Sequence, residues 1–280
     1  MNNGIDFYAI EPASAGLAAA RIKRIMEGPV AVMVTGMDQG PAAKPYQEAG
    51  GVAVIRISGI MVNAAYWFDE ADMSQIESAL KAAASDEAVS SILLAIDSPG
   101  GQVTGTISLA DTVSAVNKVK PITSHINGVG ASAAYWTASQ AKTITASRMA
   151  RIGSIGVSVI LYDTSVQAAN EGVRPVVVET SPLKSIGAAG VPITDEMVAE
   201  VKGVVAGYEA EFKAAIKAGR GIDPKTVATG QTWFAKDAKA LGLIDRIASF
   251  DETLTAMIEK NNATAKARTA QARGRVALLD

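Results

Sequence analysis

The 280-residue sequence contains no cysteine and one histidine, His125. Disulfide scaffolds, thiol nucleophiles and cysteine-ligated zinc are therefore excluded, and so are histidine-rich metal sites; carboxylate sites stay open. Aromatic residues make up only 5% of the chain although 49% is apolar, and alanine supplies much of the difference. That favours helices packed closely on a sheet over an aromatic-rich β protein. Neither sign of charge dominates, with 26 basic and 28 acidic side chains. Without a basic stripe, nucleic-acid binding has no electrostatic support. No run approaches the ~20 apolar residues of a membrane span. The opening "MNNGIDFYAIEPASAG" has neither a basic n-region nor an apolar h-region. The expectation is a soluble, cytoplasmic chain without a membrane anchor, nucleic-acid partner, metal or cofactor.

What is present is an alternation. "ASAGLAAARIKRIM" (13–26) reads as a helix, and "GMDQGPAAKPYQEAG" (36–50), rich in glycine and proline, reads as a linker. From Gly51 the texture changes. "VAVIRIS" is strand-like, and "DEADMSQIESALKAAAS" puts Met73, Ile76, Leu80 and Ala83 on one helical face. "VSSILLAID" is a continuous apolar run suited to a strand buried on both faces. "GTISLADTVSAVNKV" follows as a helix, "PITSHI" as a strand and "SAAYWTASQA" as a helix; "KTITA", "VSVILYD" and "RPVVVET" continue as strands. This order implies an α/β fold with a mainly parallel sheet flanked by helices. Beyond Thr194, a helix start in front of a long periodic run, the chain reads as helical. The expected layout is an N-terminal arm (1–36), a linker (37–50), one domain (51–250) and a helical to mobile tail (251–280).

Three turns after strands carry the chemistry. "IDSPGGQV" ends the apolar strand in Pro99 and the pair Gly100–Gly101, whose small size lets another backbone come close. "NGVGAS" places Ser132 at a helix start, where free N–H groups stabilise a developing oxyanion. Serine is also a common N-cap, and on this turn alone the cap reading is the stronger. A nucleophile needs a base. His125 lies in a strand and reads as structural, so a Ser–His–Asp triad is hard to assemble. A lysine can serve if its surroundings favour the neutral amine. "VVVETSPLKSIG" supplies Lys184 between Leu183 and Ile186 in an apolar, sharply turning stretch.

Taken together, "DSPGG" (97–101), "GASAAYW" (130–136) and "SPLKSIG" (181–187) resemble the signal peptide peptidase A-like serine peptidases, which share the Clp protease/crotonase superfold. Ser132 and Lys184 stand 52 positions apart, as in single-domain members. "ARIGSIGVSV" and "TGQTWFAKDAKALGLIDRI" resemble two further family segments, so the likeness spans about residues 51–250. Two departures stand out. Ala133 and Ala134 replace the usual glycine pair, and Leu183 and Ser185 flank the lysine where tyrosine and aspartate are common.

The resemblance implies repeated ββα units and a serine endopeptidase with a Ser132–Lys184 dyad. It implies support of the lysine by Ser154 and an oxyanion hole from the amides of Gly101 and Ala133. It also implies a substrate strand laid along Gly100, Gln102 and Val103. A single domain with an arm and a linker is most similar to the phage prohead (capsid) protease branch. The expected partners are a scaffold or capsid-assembly polypeptide, portal or capsid contacts, and further copies of the chain in a homo-oligomer, in the host cytoplasm or prohead interior. The alternatives are a host-type peptide-degrading protease of the same family, a crotonase-like acyl-CoA enzyme, and an inactive assembly module.

Overall fold

The computed structural model describes residues 8–10, 44–65 and 70–276. The helix expected over 13–26 lies outside them. The frame of the fold is set by Val/Ile/Leu-rich runs that can be buried on both faces. Strand β3 (Val52–Ser58) pairs in parallel with β6 (Ser91–Ser98), and β6 pairs in parallel with β8 (Ile122–Ala131). Two short strands share the far edge of β8, again in parallel. β9 (Thr143–Ala146) takes its first half and β10 (Arg151–Gly153) its second. Antiparallel strands close the sheet, β2 (Gln47–Ala49) on β3 and β11 (Thr232–Phe234) on β10, while β12 (Arg246–Ile247) pairs in parallel with β9. Gln47–Ala49 falls in the stretch read as a linker, which the chain instead uses as an edge strand.

Helix α1 (Met73–Ser85) buries Met73, Ile76, Leu80 and Ala83, the stripe its spacing requires. Asp72 caps it, accepting from the amides of Ser74 and Gln75. Helix α2 (Thr106–Val119) packs against α1. On the other side of the sheet, Val52, Val54 and Leu93 meet Phe250, Leu254, Met257 and Ile258 of α7 (Phe250–Val276). A six-residue helix, α3 (Ala133–Ala138), is buried throughout. Its Tyr135 hydroxyl donates to the Leu243 carbonyl at 2.8 Å, and its Trp136 stacks on Phe212 with ring centroids 4.4 Å apart. Phe212 belongs to α5 (Asp195–Arg220), whose first turn is capped by Thr194 through the Met197 amide.

A second sheet of four short strands stands beside the first. It runs β1 (Tyr8–Ile10), β7 (Gly100–Gln102), β4 (Ile60–Val62), β5 (Glu70–Asp72). Between β10 and α5 the chain is largely irregular, with only a six-residue helix α4 (Ser165–Asn170) and a 3-10 turn at Pro182–Ser185. The strands expected from "VSVILYD" and "RPVVVET" do not form among the described residues, where the two stretches hold only an isolated bridge at Ser158. The second stretch is exposed throughout, Val176 by 80% and Val178 by 94%, whereas in the first Ile160 and Tyr162 are exposed and Val157, Val159 and Leu161 are half-buried.

His125 is structural, as its place in a strand implies. It is fully buried, its Nδ1 lies 2.9 Å from Thr145 Oγ1, and its Nε2 has no partner among the described residues. Burial lowers its pKa from the ordinary 6.5, because the imidazolium loses its hydration. The unfolded chain therefore binds the proton first. The native state keeps its full advantage above about pH 6.5 and loses it as the pH falls below that value, by up to ~1.4 kcal/mol per pH unit. Urea titrations between pH 7.5 and 5.5 are expected to show this slope in the wild type and a flatter one in His125→Gln.

Candidate active site

The site is built where β6, β7 and β8 come together. β6 and β8 reach the same level, with Ser98 opposite Gly130 after a shift of register. Asp97 fixes the turn in β8, its Oδ1 accepting from the Val129 amide at 2.9 Å. The same carboxylate explains Gly128, where a Cβ would lie 2.7 Å from Asp97 Oδ1. Ser98 Oγ donates to the Gly59 carbonyl at 2.6 Å and accepts from the Gly100 amide at 3.2 Å, drawing the "SPGG" turn toward β4. The two glycines of that turn serve different ends. Gly100 has φ +97°, a conformation costly for any side chain, whereas Gly101 abuts β4, and a Cβ there would fall 1.9 Å from the Met61 carbonyl oxygen.

Ser132 follows β8 at φ +55°, ψ −121°. Its backbone is held from both sides. The amide donates to the Gly153 carbonyl at 2.7 Å, and the carbonyl accepts from the Trp136 amide at 2.8 Å. The residue occupies the N-cap position of α3, yet its hydroxyl caps nothing. Oγ is buried without a hydrogen-bond partner, at a site where a serine backbone costs ~1–3 kcal/mol. A capping serine would show the opposite on both counts. Ala133 does not share the positive φ, so its amide takes an ordinary helical start.

Ser154 is Ser132's neighbour across the sheet. Ala131 pairs with Gly153, and each chain then continues into one of these serines. Ser154 is also buried and also at positive φ, +50°, its amide bound to the Gln231 carbonyl at 2.7 Å. Ser132 and Ser154 are the two non-glycine residues with positive φ among the described residues. Gly100, Gly101, Ala133, Ser132 and Ser154 thus fall in one region. Gln102 ends β7, with its Oε1 accepting from the Asn63 amide. Val103, expected to extend that strand, instead begins the turn into α2, its carbonyl taken by Thr106 and its side chain in the core.

Lys184 makes no hydrogen bond to Ser132, whose Oγ has no partner among the described residues. The lysine lies exposed on the 3-10 turn, its backbone amide bound to Ser181, and its amine makes no hydrogen bond among the described residues. The sequence reading missed Asp97, which entered there only as the first residue of "DSPGG". An aspartate closing a buried strand just before a glycine turn was the available signal.

The model of peptidase family S49 matches residues 114–264, more than half of the chain. The chain belongs to peptidase family S49. A Clp protease family model matches residues 55–152 of this S49 chain, the stretch that runs from within β3 to within β10 and carries β6, β7 and β8, in keeping with its mixed α/β architecture and mostly parallel sheet. Capsid assembly protease C of Escherichia phage lambda is 27% identical over 231 residues, covering 80% of this chain and 53% of that protein. Protease 4 of Salmonella typhi is 28% identical over 77% of this chain and 35% of its own length. Head-tail preconnector protein GP5 of Enterobacteria phage P21 is 24% identical over 81% of this chain and 46% of its own. The S49 chain thus spans about half the length of these relatives or less. Among solved structures, an enoyl-CoA hydratase/isomerase family protein from Silicibacter pomeroyi aligns with TM-score 0.48 and 16% identity over 78% of this chain and 80% of that one. No helix among the described residues is long and apolar enough to cross a membrane.

Proposed function

We propose that the chain is a serine endopeptidase that uses Ser132 as nucleophile and Lys184 as base, and that it cleaves scaffold or portal-associated polypeptides during phage head assembly. The observation that carries the reading is Ser132 itself, a buried, unpartnered hydroxyl held at a strained backbone position where glycine would be free of cost. Ser132 Oγ attacks the substrate carbonyl while the neutral Lys184 amine takes its proton. The N–H groups of Gly101 and Ala133 hold the oxyanion. The C–N bond then breaks, and the lysine ammonium gives its proton to the leaving amine. Water attacks the acyl-enzyme, Lys184 receives its proton, and Oγ recovers one as the acid leaves. Ser154, beside Ser132 across β8 and β10, orients the amine.

In this reading Lys184 reaches the site when the segment before it is docked. Exposed Ile160, Tyr162, Val166, Val173, Val176 and Val178 give that segment an apolar surface suited to another copy of the chain, so the working enzyme is a homo-oligomer. The head-assembly role is favoured by two phage relatives, named as a capsid assembly protease and a head-tail preconnector protein. A fluorophosphonate probe tests the chemistry. It is expected to modify Ser132 alone, and the chain to cleave a co-expressed scaffold protein. A full-length chain that stays unlabelled at every concentration tried, and leaves the scaffold intact, is an assembly module instead.

A further inference from the structure

β7 is three residues long and has two edges. β4 takes one, with Met61 opposite Gly101. β1 takes the other, running antiparallel with Tyr8 opposite Gln102, Ala9 opposite Gly101 and Ile10 opposite Gly100. No edge of β7 is left for an incoming chain. The direction of β1 is informative too. It runs toward the Gly100 turn, beside the Ser98–Gly130 pair and the end of β8. A substrate must enter with this polarity if its acyl side is to lie on β7 and its carbonyl is to arrive at Ser132. Ser132 is fully buried, so entry requires a movement.

We propose that Tyr8–Ile10 is a built-in occupant of the substrate strand position, which holds the cleft closed until an extended polypeptide displaces it. The inference rests on reading Ser132 and β7 as a peptidase cleft. Strand addition supplies affinity through main-chain hydrogen bonds and so tolerates many sequences. A three-residue edge strand paired to one neighbour is marginal, and therefore displaceable. As a tethered ligand it competes at an effective concentration set by the chain that links it to the domain. An external peptide must overcome that advantage.

The test uses the full chain and two single variants, Tyr8→Pro and Ala9→Pro. Neighbouring N–H groups of a strand face opposite edges, so one of the two removes a ladder donor. Amide hydrogen exchange across residues 100–103 reports the pairing. Fluorescence anisotropy with a labelled synthetic peptide of residues 6–12 reports access to the slot. In one variant, exchange is expected to rise and the peptide to bind roughly tenfold more tightly than to the wild type. Unchanged exchange in both variants overturns the proposal. So does faster exchange with unchanged peptide affinity, which would make β1 a structural strand. If both readouts behave as expected but no form hydrolyses peptides or takes the fluorophosphonate, the occupant stands and the peptidase reading falls.

Discussion

Ser132→Ala is expected to abolish peptide hydrolysis, by about 10⁴-fold or more in kcat, and to leave the protein as stable as the wild type or more stable. The two halves of this expectation come from one observation. Ser132 Oγ makes no hydrogen bond among the described residues although it is buried, so its loss removes a desolvated group and breaks no hydrogen bond. Ser132→Gly goes further, since glycine adopts φ +55° freely; its denaturation midpoint is expected to exceed that of the alanine variant. Stability gained as activity is lost marks a residue kept for chemistry. Lys184→Ala is expected to lower kcat to the same floor without shifting the midpoint, because the side chain is exposed and unpaired among the described residues. The double variant adds nothing, since nucleophile and base act as one unit. Hydrolysis that survives Lys184→Ala would remove the lysine from the mechanism. A marked drop in midpoint for Ser132→Ala would return the serine to a structural role.

The parts of this architecture that were legible beforehand are those in which period and local chemistry agree. The Met73, Ile76, Leu80, Ala83 stripe, the doubly buried β6 run and the Thr194 cap all fold as their patterns require. The family motifs singled out Ser132, and the strained backbone that sets it apart came only from tertiary structure. Its φ is imposed by the Gly153 carbonyl, some twenty residues further along the chain, on one side and by the first turn of α3 on the other. Residues 157–163 and 174–180 failed for a different reason. A β-branched apolar run signals a strand that wants a surface, and nothing in its period says whose surface. Gln47–Ala49 is the converse: short and polar enough to pass for a linker, it gains its pairing only because the edge of β3 is next to it.

Gly101→Ala carries the second large expected effect, and Gly100→Ala is its control. Both change one methyl group in the same turn, for different physical reasons. At Gly101 the added Cβ would lie 1.9 Å from the Met61 carbonyl oxygen and within 2.7 Å of two further Met61 backbone atoms. These are backbone atoms of β4 and cannot swing aside as a side-chain tip would. Relief requires β7 and β4 to part, so the cost is expected at or above the ~1–3 kcal/mol typical of overpacking. The separation also carries the Gly101 amide away from the oxyanion it is proposed to hold, and loss of one such donor lowers kcat about 10²–10³-fold. At Gly100 the cost is conformational. φ +97° is denied to alanine, and the turn either strains or flips while the β4 contact stays intact. Thermal denaturation should therefore rank Gly101→Ala below Gly100→Ala, with amide exchange across residues 60–62 faster in the first alone. Faster exchange in both variants would mean that the pair acts as one flexible turn, and the separate tasks assigned to the two glycines would have to be withdrawn.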